Sequence, residues 1–250
     1  MPSMSGGRYR VRFAATSGDV RAAQSLRALA FRGAADPALD ADAFDALCDH
    51  VLVEDATSGT LVCCFRILPL AAGAEIGRSY SAQFYELSGL SDYPDPMVEL
   101  GRFCIRPDRA DADILRIAWG AMTRYVDDHG IAMLFGCSSF QGTDATRYRE
   151  AFAMLRDRHL APGRWLPRVK APRVFRFAQR PRALPDTQRA MRAMPPLLRT
   201  YLAMGGWVSD HAVVDQNLNT MHVFTGLEIG TIPAARKRLL RTLAAAGPGA

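Results

Sequence analysis

Apolar and polar residues alternate from Tyr9 to Ala14 as along a half-buried strand, and Ser17-Gly18-Asp19 then offers a helix start for Val20 to Arg32. Leu26, Leu29 and Ala30 supply that helix with an apolar face, and Asp36-Pro37 breaks it. Asp42 to Asp49 reads as a short helical or looped segment. His50 to Glu54 and Leu61 to Leu68 are β-rich runs parted by the turn residues Asp55 to Gly59, which predicts a hairpin. Ser81 to Leu87 reads as a short helix, Met97 to Ile105 as a strand, and Ala112 to His129 as a long amphipathic helix closed by Gly130. An apolar strand from Ile131 to Gly136 and a helix from Asp144 to His159 follow. Leu160 to Pro195 is rich in proline and arginine with little periodicity, which predicts an extended insertion running over the surface. Pro195 and Pro196 open a helix through Met204; Trp207 to Val214 and Met221 to Ile229 are final strands, and Ala234 to Leu243 is a basic helix.

No repeat period runs through this order, and mixed α/β (α+β) with one continuous sheet accounts for it better than two independent domains. A single domain over residues 1–250 is expected, with its core in 8–159, a basic Pro/Arg-rich insertion in 160–195 and a closing helix, strands and basic helix in 196–245. The order resembles the GNAT N-acyltransferase fold, a mixed and mostly antiparallel sheet flanked by helices. The hairpin, the central strand feeding a long helix and the strand after it carry that resemblance, and the basic segment is a C-terminal extension to it.

The chain has 250 residues, 49% hydrophobic and 22% charged, the profile of a soluble globular protein. Its 31 basic and 25 acidic residues give +6, and Lys170 and Lys237 are the only lysines. The excess is local. Arg156 to Arg199 carries eleven arginines and Lys170 against Asp157 and Asp186, a balance of +10 that leaves the rest of the chain at −4. Such a block points to an anionic partner: nucleic acid, a phospholipid surface or an acidic protein. Five cysteines, with Cys63 and Cys64 adjacent and no CxxC pair, argue against a zinc site and a disulfide framework, so a reducing cytoplasm and no metal are expected. The N-terminus shows no signal-peptide pattern. The best apolar stretch, Leu61 to Ala74, is interrupted by Arg66 and Pro69, so any membrane contact is expected from the surface.

Candidate chemistry begins in the central strand, at Glu99-Leu100-Gly101-Arg102. Residues three apart on a regular strand face opposite ways, but a β-bulge at Gly101 would bring Glu99 and Arg102 to one face and free a backbone N–H. For acyl transfer to an amine, a carboxylate can take the amine proton and a free N–H can hold the thioester carbonyl as its oxygen gains charge. Phe140 to Asp144 joins the next strand to a helix, where Gly142 permits an unusual backbone angle and Thr143 or Asp144 can cap the helix. After the central strand, Arg106 to Asp113 contains no glycine and three aspartates, where a CoA-using GNAT enzyme generally wraps the pyrophosphate in backbone amides. Those carboxylates would repel a pyrophosphate more than a single phosphodiester, which favours the phosphopantetheine arm of acyl carrier protein as donor, with no permanently bound cofactor. Carrier proteins are acidic, which suits the basic block.

Five ordered blocks resemble the L-ornithine Nα-acyltransferases, which start ornithine-lipid synthesis: Phe44 to Val53, Phe65 to Leu68, Tyr80 to Phe84, Glu99 to Pro107 and Leu134 to Asp144. The resemblance runs from about Arg27 to Glu228 and continues through Pro195 to Tyr201 and Asp215 to Thr220. It implies transfer of a 3-hydroxyacyl group from acyl carrier protein to the α-amine of L-ornithine, giving lyso-ornithine lipid. Carried over by motif, Glu99 is the general base or proton relay and Arg102 its orienter or a partner of the amino acid's carboxylate. Arg66 is a second carboxylate ligand. Asp45, Asp49 and Asp144 are candidates to meet the δ-ammonium, and Ser138, Ser139 and Thr143 complete the substrate-binding set. Arg173, Arg176 and Arg180 are assigned to carrier-protein docking. His222 stands where relatives commonly carry an aspartate. Acyl-homoserine-lactone synthases share the pattern of Arg27, Phe31, Asp45, Arg66, Glu99 and Arg102, but Gly136 to Asp144 looks like the ornithine family. A basic nucleic-acid or membrane-binding module is the reading from a different class; Trp165, Phe175 and Phe177 are the only rings in the basic block to serve base stacking, and no nucleic acid is expected. A cytoplasmic enzyme in peripheral contact with the anionic inner membrane is the expectation.

Overall fold

A computed structural model describes residues 4–33, 38–109, 111–181 and 184–245; the break expected at Asp36-Pro37 lies outside them. Along the chain run β1 (Met4–Gly6), β2 (Tyr9–Phe13), α1 (Ser17–Arg32), β3 (Asp49–Asp55), β4 (Leu61–Leu70), β5 (Tyr85–Glu86), β6 (Met97–Ile105), α2 (Ala112–Asp128) and β7 (Met133–Gln141). There follow α3 (Arg149–Arg158), β8 (Arg168–Val169), β9 (Val174–Phe175), α4 (Thr187–Ala193), α5 (Pro196–Ala203), β10 (Trp207–Val208), β11 (Ala212–Asp215), β12 (Thr220–Glu228) and α6 (Ala234–Ala245). The chain divides into two compact units, one of Met1–Pro69, Leu100–Ile131 and Ala234–Ala250, the other of Leu70–Glu99 and Ala132–Pro233.

In the first unit β1, β2, β3 and β4 pair in sequence, each antiparallel to the next. The expected hairpin forms because Asp55 Oδ1 accepts the N–H groups of Thr57 and Ser58, both at 3.1 Å, and Gly59 takes φ +69°. The helix α1 starts three residues earlier than Val20. Thr16 is its N-cap, in a reciprocal capping box with Asp19, so Ser17-Gly18-Asp19 is the first turn and not the approach to it. Ala23 and Leu26 pack against Leu52, Cys64 and Cys104. Asp111 caps α2 and accepts the Tyr9 hydroxyl at 2.6 Å, which ties the helix start to β2. The basic helix α6 packs on α2, where Arg241 grips Asp127 with two bonds of 3.0 Å.

The second unit is built on β7 and β12, which pair over nine residues each, with β11 and then β9 on the far side of β12 and β10 also bonded to β12. Strand β7 runs five residues beyond Gly136, since Cys137, Ser138 and Ser139 stay in register with Phe224, Val223 and His222 despite their polarity. The Trp207 to Val214 run splits into β10 and β11 at Ser209, whose hydroxyl accepts the Phe224 N–H at 3.1 Å and donates to His211 O at 2.7 Å. Ser81 to Leu87 is a single 3-10 turn, Ser81–Gln83, followed by β5, which pairs with β8. The Pro/Arg-rich segment does more than cover the surface. It contributes β8, β9 and α4, and buries Phe177, Ala190 and Met194 with Phe140, Phe152 and Leu198 in the main core of this unit. Aromatic and alanine spacing there was hidden by the arginines around it.

Candidate functional site

Strand β6 begins in the second unit and runs into the first, so its two candidate residues are held by different surroundings. Glu99 is 4% exposed. Its Oε2 accepts the Tyr80 N–H at 2.7 Å, and its Oε1 accepts both the N–H and the hydroxyl of Ser81, at 2.8 and 2.5 Å. The start of the 3-10 turn explains this: its first N–H groups have no partner within the turn, and a carboxylate supplies one. The Ser81 oxygen also lies 3.4 Å from Cys137 Sγ on β7. From α5, Tyr201 is fully buried, and its phenol is pushed well above the ordinary range by burial and then by the Glu99 charge. Tyr85 donates to His222 O at 2.7 Å and lies 3.1 Å from His222 Nδ1. Ser81 and Tyr201 carry no role in the sequence reading, although both fall inside its family-like blocks, and proximity to Glu99 is what singles them out.

In the first unit, three arginines and three aspartates interlock. Arg27, with no exposed surface, bonds Asp45 through Nη1 and Nη2 at 2.8 and 2.9 Å and contacts Asp40 through Nε at 3.0 Å. Arg66 takes Asp42 with both Nη atoms, at 2.5 and 3.1 Å, and Asp45 with Nη1 at 2.9 Å. Arg102 reaches Asp40 through Nε at 3.1 Å and Asp42 through Nη2 at 3.2 Å. Arg66, the expected second ligand of the amino acid's carboxylate, holds the Asp42 carboxylate with two bonds. Burial pushes the Asp42 and Asp45 carboxyls up, but the bonded guanidinium groups outweigh it and hold both below their ordinary value. Burial likewise opposes the charge on Arg66, and Asp42 more than restores it. Beside Gly101, Arg102 takes φ +51°, a left-handed conformation that costs a side-chain-bearing residue about 1 kcal/mol or more.

The other candidates are dispersed. Asp49 is exposed at the start of β3, 3.5 Å from the Tyr125 hydroxyl. Ser138 is buried and accepts the Thr225 hydroxyl at 3.0 Å, whereas Ser139 and Thr143 are exposed. Asp144 caps the 3-10 turn Ala145–Tyr148 that leads into α3, and hydrogen bonds from the Thr146 side chain and then its N–H hold its carboxyl low. Gly142 takes φ +79°. Arg173, Arg176 and Arg180 are exposed; Arg180 lies 5.2 Å over the Phe175 ring. After β6, Arg106 pairs with Asp108 at 2.9 Å, while Asp111 and Asp113 occupy the first turn of α2, where Asp111 Oδ1 already accepts the Asp113 N–H. Cys104, 5% exposed and 3.5 Å from Cys64, has a thiol pushed up by that neighbour and by burial. Among the described residues no group of three His, Cys, Asp or Glu has the arrangement to hold a metal ion.

Residues 26–120 match the family described as acetyltransferase (GNAT) domain. Among solved structures, a CoA-dependent acyl-homoserine lactone synthase, BjaI, covers 99% of this chain and 92% of its own at 12% identity and a TM-score of 0.52, a likeness of fold. The L-ornithine N(alpha)-acyltransferase of Rhizobium meliloti is 32% identical over 77% of this chain and 68% of its own. That of Rhodobacter capsulatus is 36% identical over 86% of this chain and 88% of its own. On a GNAT fold, and matched over most of its length by these enzymes, the chain belongs to the L-ornithine N(alpha)-acyltransferase family.

Proposed function

We propose that this acyltransferase moves a 3-hydroxyacyl group from acyl carrier protein to the α-amine of ornithine, giving lyso-ornithine lipid, and that Glu99 takes the amine proton. The observation that carries the reading is the buried Glu99 carboxylate fixed by three donors from Tyr80 and Ser81, an acceptor positioned in a water-poor place. The deprotonated amine attacks the thioester carbonyl directly, the tetrahedral intermediate collapses, and the phosphopantetheine thiolate leaves. Cys104 is poorly suited to an acyl-enzyme route, because its raised thiol is a weak nucleophile at neutral pH.

Arg66 and Arg102 share Asp42, whose side chain is 25% exposed, the most accessible carboxylate of their cluster. An amino-acid carboxylate would reach that fork in exchange for Asp42, with no change in charge. Asp45 has its oxygens committed to Arg27, Arg66 and Gln24, which leaves Asp49 and Asp144 as the accessible partners for the δ-ammonium. The carboxylates of Asp108, Asp111 and Asp113 disfavour a pyrophosphate after β6, and the exposed Arg173, Arg176 and Arg180 offer an acidic carrier protein a docking face. No helix among the described residues is long and apolar enough to cross a membrane. The reading includes a cytoplasmic enzyme that hands an amphiphilic product to the anionic inner membrane surface.

The test supplies 3-hydroxyacyl-carrier protein or the matching 3-hydroxyacyl-CoA with ornithine and reads products by mass spectrometry. Lyso-ornithine lipid formed preferentially from the carrier protein is expected. Equal kcat/KM for the CoA thioester would overturn the donor assignment. Glu99→Gln should lower kcat by about 10²- to 10⁴-fold, the usual contribution of a positioned base.

A further inference from the structure

Leu184 is 98% exposed, nearly twice as exposed as the next large apolar side chain among the described residues, Leu47 at 52%. A leucine left in water gains nothing from the core, yet the chain on both sides of this one is anchored. Arg156 on α3 donates from Nη1 to the carbonyls of Arg180 and Pro181 at 3.1 and 2.9 Å, and Glu150 Oε2, also on α3, accepts the Asp186 N–H at 2.9 Å. Pro181 and Pro185 flank the leucine and limit the freedom of its backbone. Asp186 then caps α4, which buries Ala190 and Met194 in the core of this unit and leaves Met191 exposed. Arg189 and Arg192 are exposed beside Met191. Arg189 lies 3.3 Å from Asp186, a pair open to solvent on both sides and so worth little. From Arg180 to Arg199 the sequence carries five arginines and one acidic residue, Asp186. One exposed apolar residue is ordinary; one held out on an anchored, proline-flanked stem, with a second apolar residue and an excess of cations in the same segment, points to a partner.

We propose that Leu184 and Met191, with Arg189 and Arg192, form the face by which this enzyme lies on an anionic phospholipid surface. The inference rests on the reading of a peripheral enzyme that hands an amphiphilic product to a membrane, and it names the surface that makes the contact. A protruding apolar side chain enters the boundary between headgroups and acyl chains without needing a shaped pocket, and arginines at the level of the phosphates add an attraction that depends on lipid charge and on salt. The anchored stem and the two prolines mean that little chain freedom is lost on insertion. A folded acidic protein fits Leu184 less well, because it would have to offer a cavity to a side chain that stands clear of its own neighbours. The arginines assigned to carrier-protein docking, Arg173, Arg176 and Arg180, precede the leucine, and the Arg180 guanidinium is turned over the Phe175 ring.

The experiment is co-sedimentation of the full chain with vesicles of phosphatidylcholine, alone or mixed with phosphatidylglycerol. Wild type should bind the mixed vesicles and not the neutral ones, and should be released at high salt as the exposed charges are screened. Leu184→Asn should weaken partition by about tenfold or more, the loss of one buried apolar side chain, with Tm unchanged because that side chain adds nothing to the core. Arg189→Glu together with Arg192→Glu should weaken it by at least about 25-fold, roughly fivefold for each cation removed. Leu184→Trp reads the contact directly: against the wild-type background, its emission should move to shorter wavelength when mixed vesicles are added. Wild type that binds no vesicle, or binding that Leu184→Asn and the double arginine variant leave unchanged, overturns the inference. Unaltered vesicle binding in Leu184→Asn with a raised KM for the carrier-protein thioester also overturns it and gives the face to the carrier. Acylation of ornithine is followed separately, in lipid-free buffer by mass spectrometry; its absence beside intact, Leu184-dependent vesicle binding overturns the proposed reaction and supports the membrane face.

Discussion

Asp45→Asn should destabilise the chain far more than the loss of a surface acid normally does, since the Asp45 side chain is only 9% exposed. Asp45 accepts from both Nη atoms of Arg27, from Arg66 Nη1 and from Gln24 Nε2, all within 2.8–2.9 Å, and Arg27 has no exposed surface. The cluster of Arg27, Arg66 and Arg102 with Asp40, Asp42 and Asp45 is charge-balanced, so the substitution leaves three guanidinium groups on two carboxylates. Removing one side of a buried pair costs about 3–5 kcal/mol; an asparagine oxygen still accepts one bond, which places the expected loss near 3. For a chain of this length that is a fall in Tm of roughly 6–12 °C. The pH dependence gives a second check. The Asp45 carboxyl is held below its ordinary 3.8 in the folded protein, so its contribution is complete above that value and is lost as pH falls through it toward the depressed folded value. The gap between wild type and variant should therefore be full at pH 7 and narrow by about 1 kcal/mol between pH 5 and pH 3. Thermal melts followed by circular dichroism at pH 7, 5 and 3 measure it. A gap below about 1 kcal/mol at pH 7, or one unchanged at pH 3, would refute the view that Asp45 neutralises a buried cation. Adding Arg27→Met to Asp45→Asn restores the balance and should cost less than the two single changes summed.

Reversing Arg173, Arg176 and Arg180 to glutamate should raise KM for the carrier-protein thioester, more steeply at low salt, and leave KM for ornithine unchanged; steady-state kinetics at two ionic strengths reads both. Cys137→Ala should retain turnover, and loss of acyl transfer in the folded variant would argue for a covalent route. Gly73→Ala should lower stability by about 3 kcal/mol or more, because a Cβ there would lie 1.9 Å from Leu90 O, a backbone atom that cannot turn aside; urea unfolding measures it. Asp144→Ala should cost about 1 kcal/mol through the lost cap and change ornithine KM only if Asp144 also meets the δ-ammonium.

What was legible in the chain depended on how far apart the interacting residues lie. The hairpin from Asp49 to Leu70, the long helix α2 and the proline-started α5 are written in neighbouring residues, and their positions follow from turn residues, caps and apolar spacing. Candidate residues were legible by type: Glu99, Arg66, Arg102 and Asp45 are all largely buried polar groups with several partners. Their partners were not. Ser81 is 18 positions from Glu99, Asp42 is 24 from Arg66 and Asp40 is 62 from Arg102, and no local pattern distinguishes these from surface serines and aspartates. The backbone at β6 shows the same limit in a sharper form. A left-handed angle costs glycine least, yet in β6 Arg102 takes it and the neighbouring Gly101 does not. Two ion pairs, to Asp40 and Asp42, offset a conformation that the residue alone would avoid. Strain placed on the arginine and not on the glycine beside it is what a structure does when the direction of that side chain matters more than the comfort of its backbone. Arg102→Gly should then relax the strand and still lose the Asp40 and Asp42 contacts, so a variant of wild-type stability and activity would show that the left-handed angle is incidental.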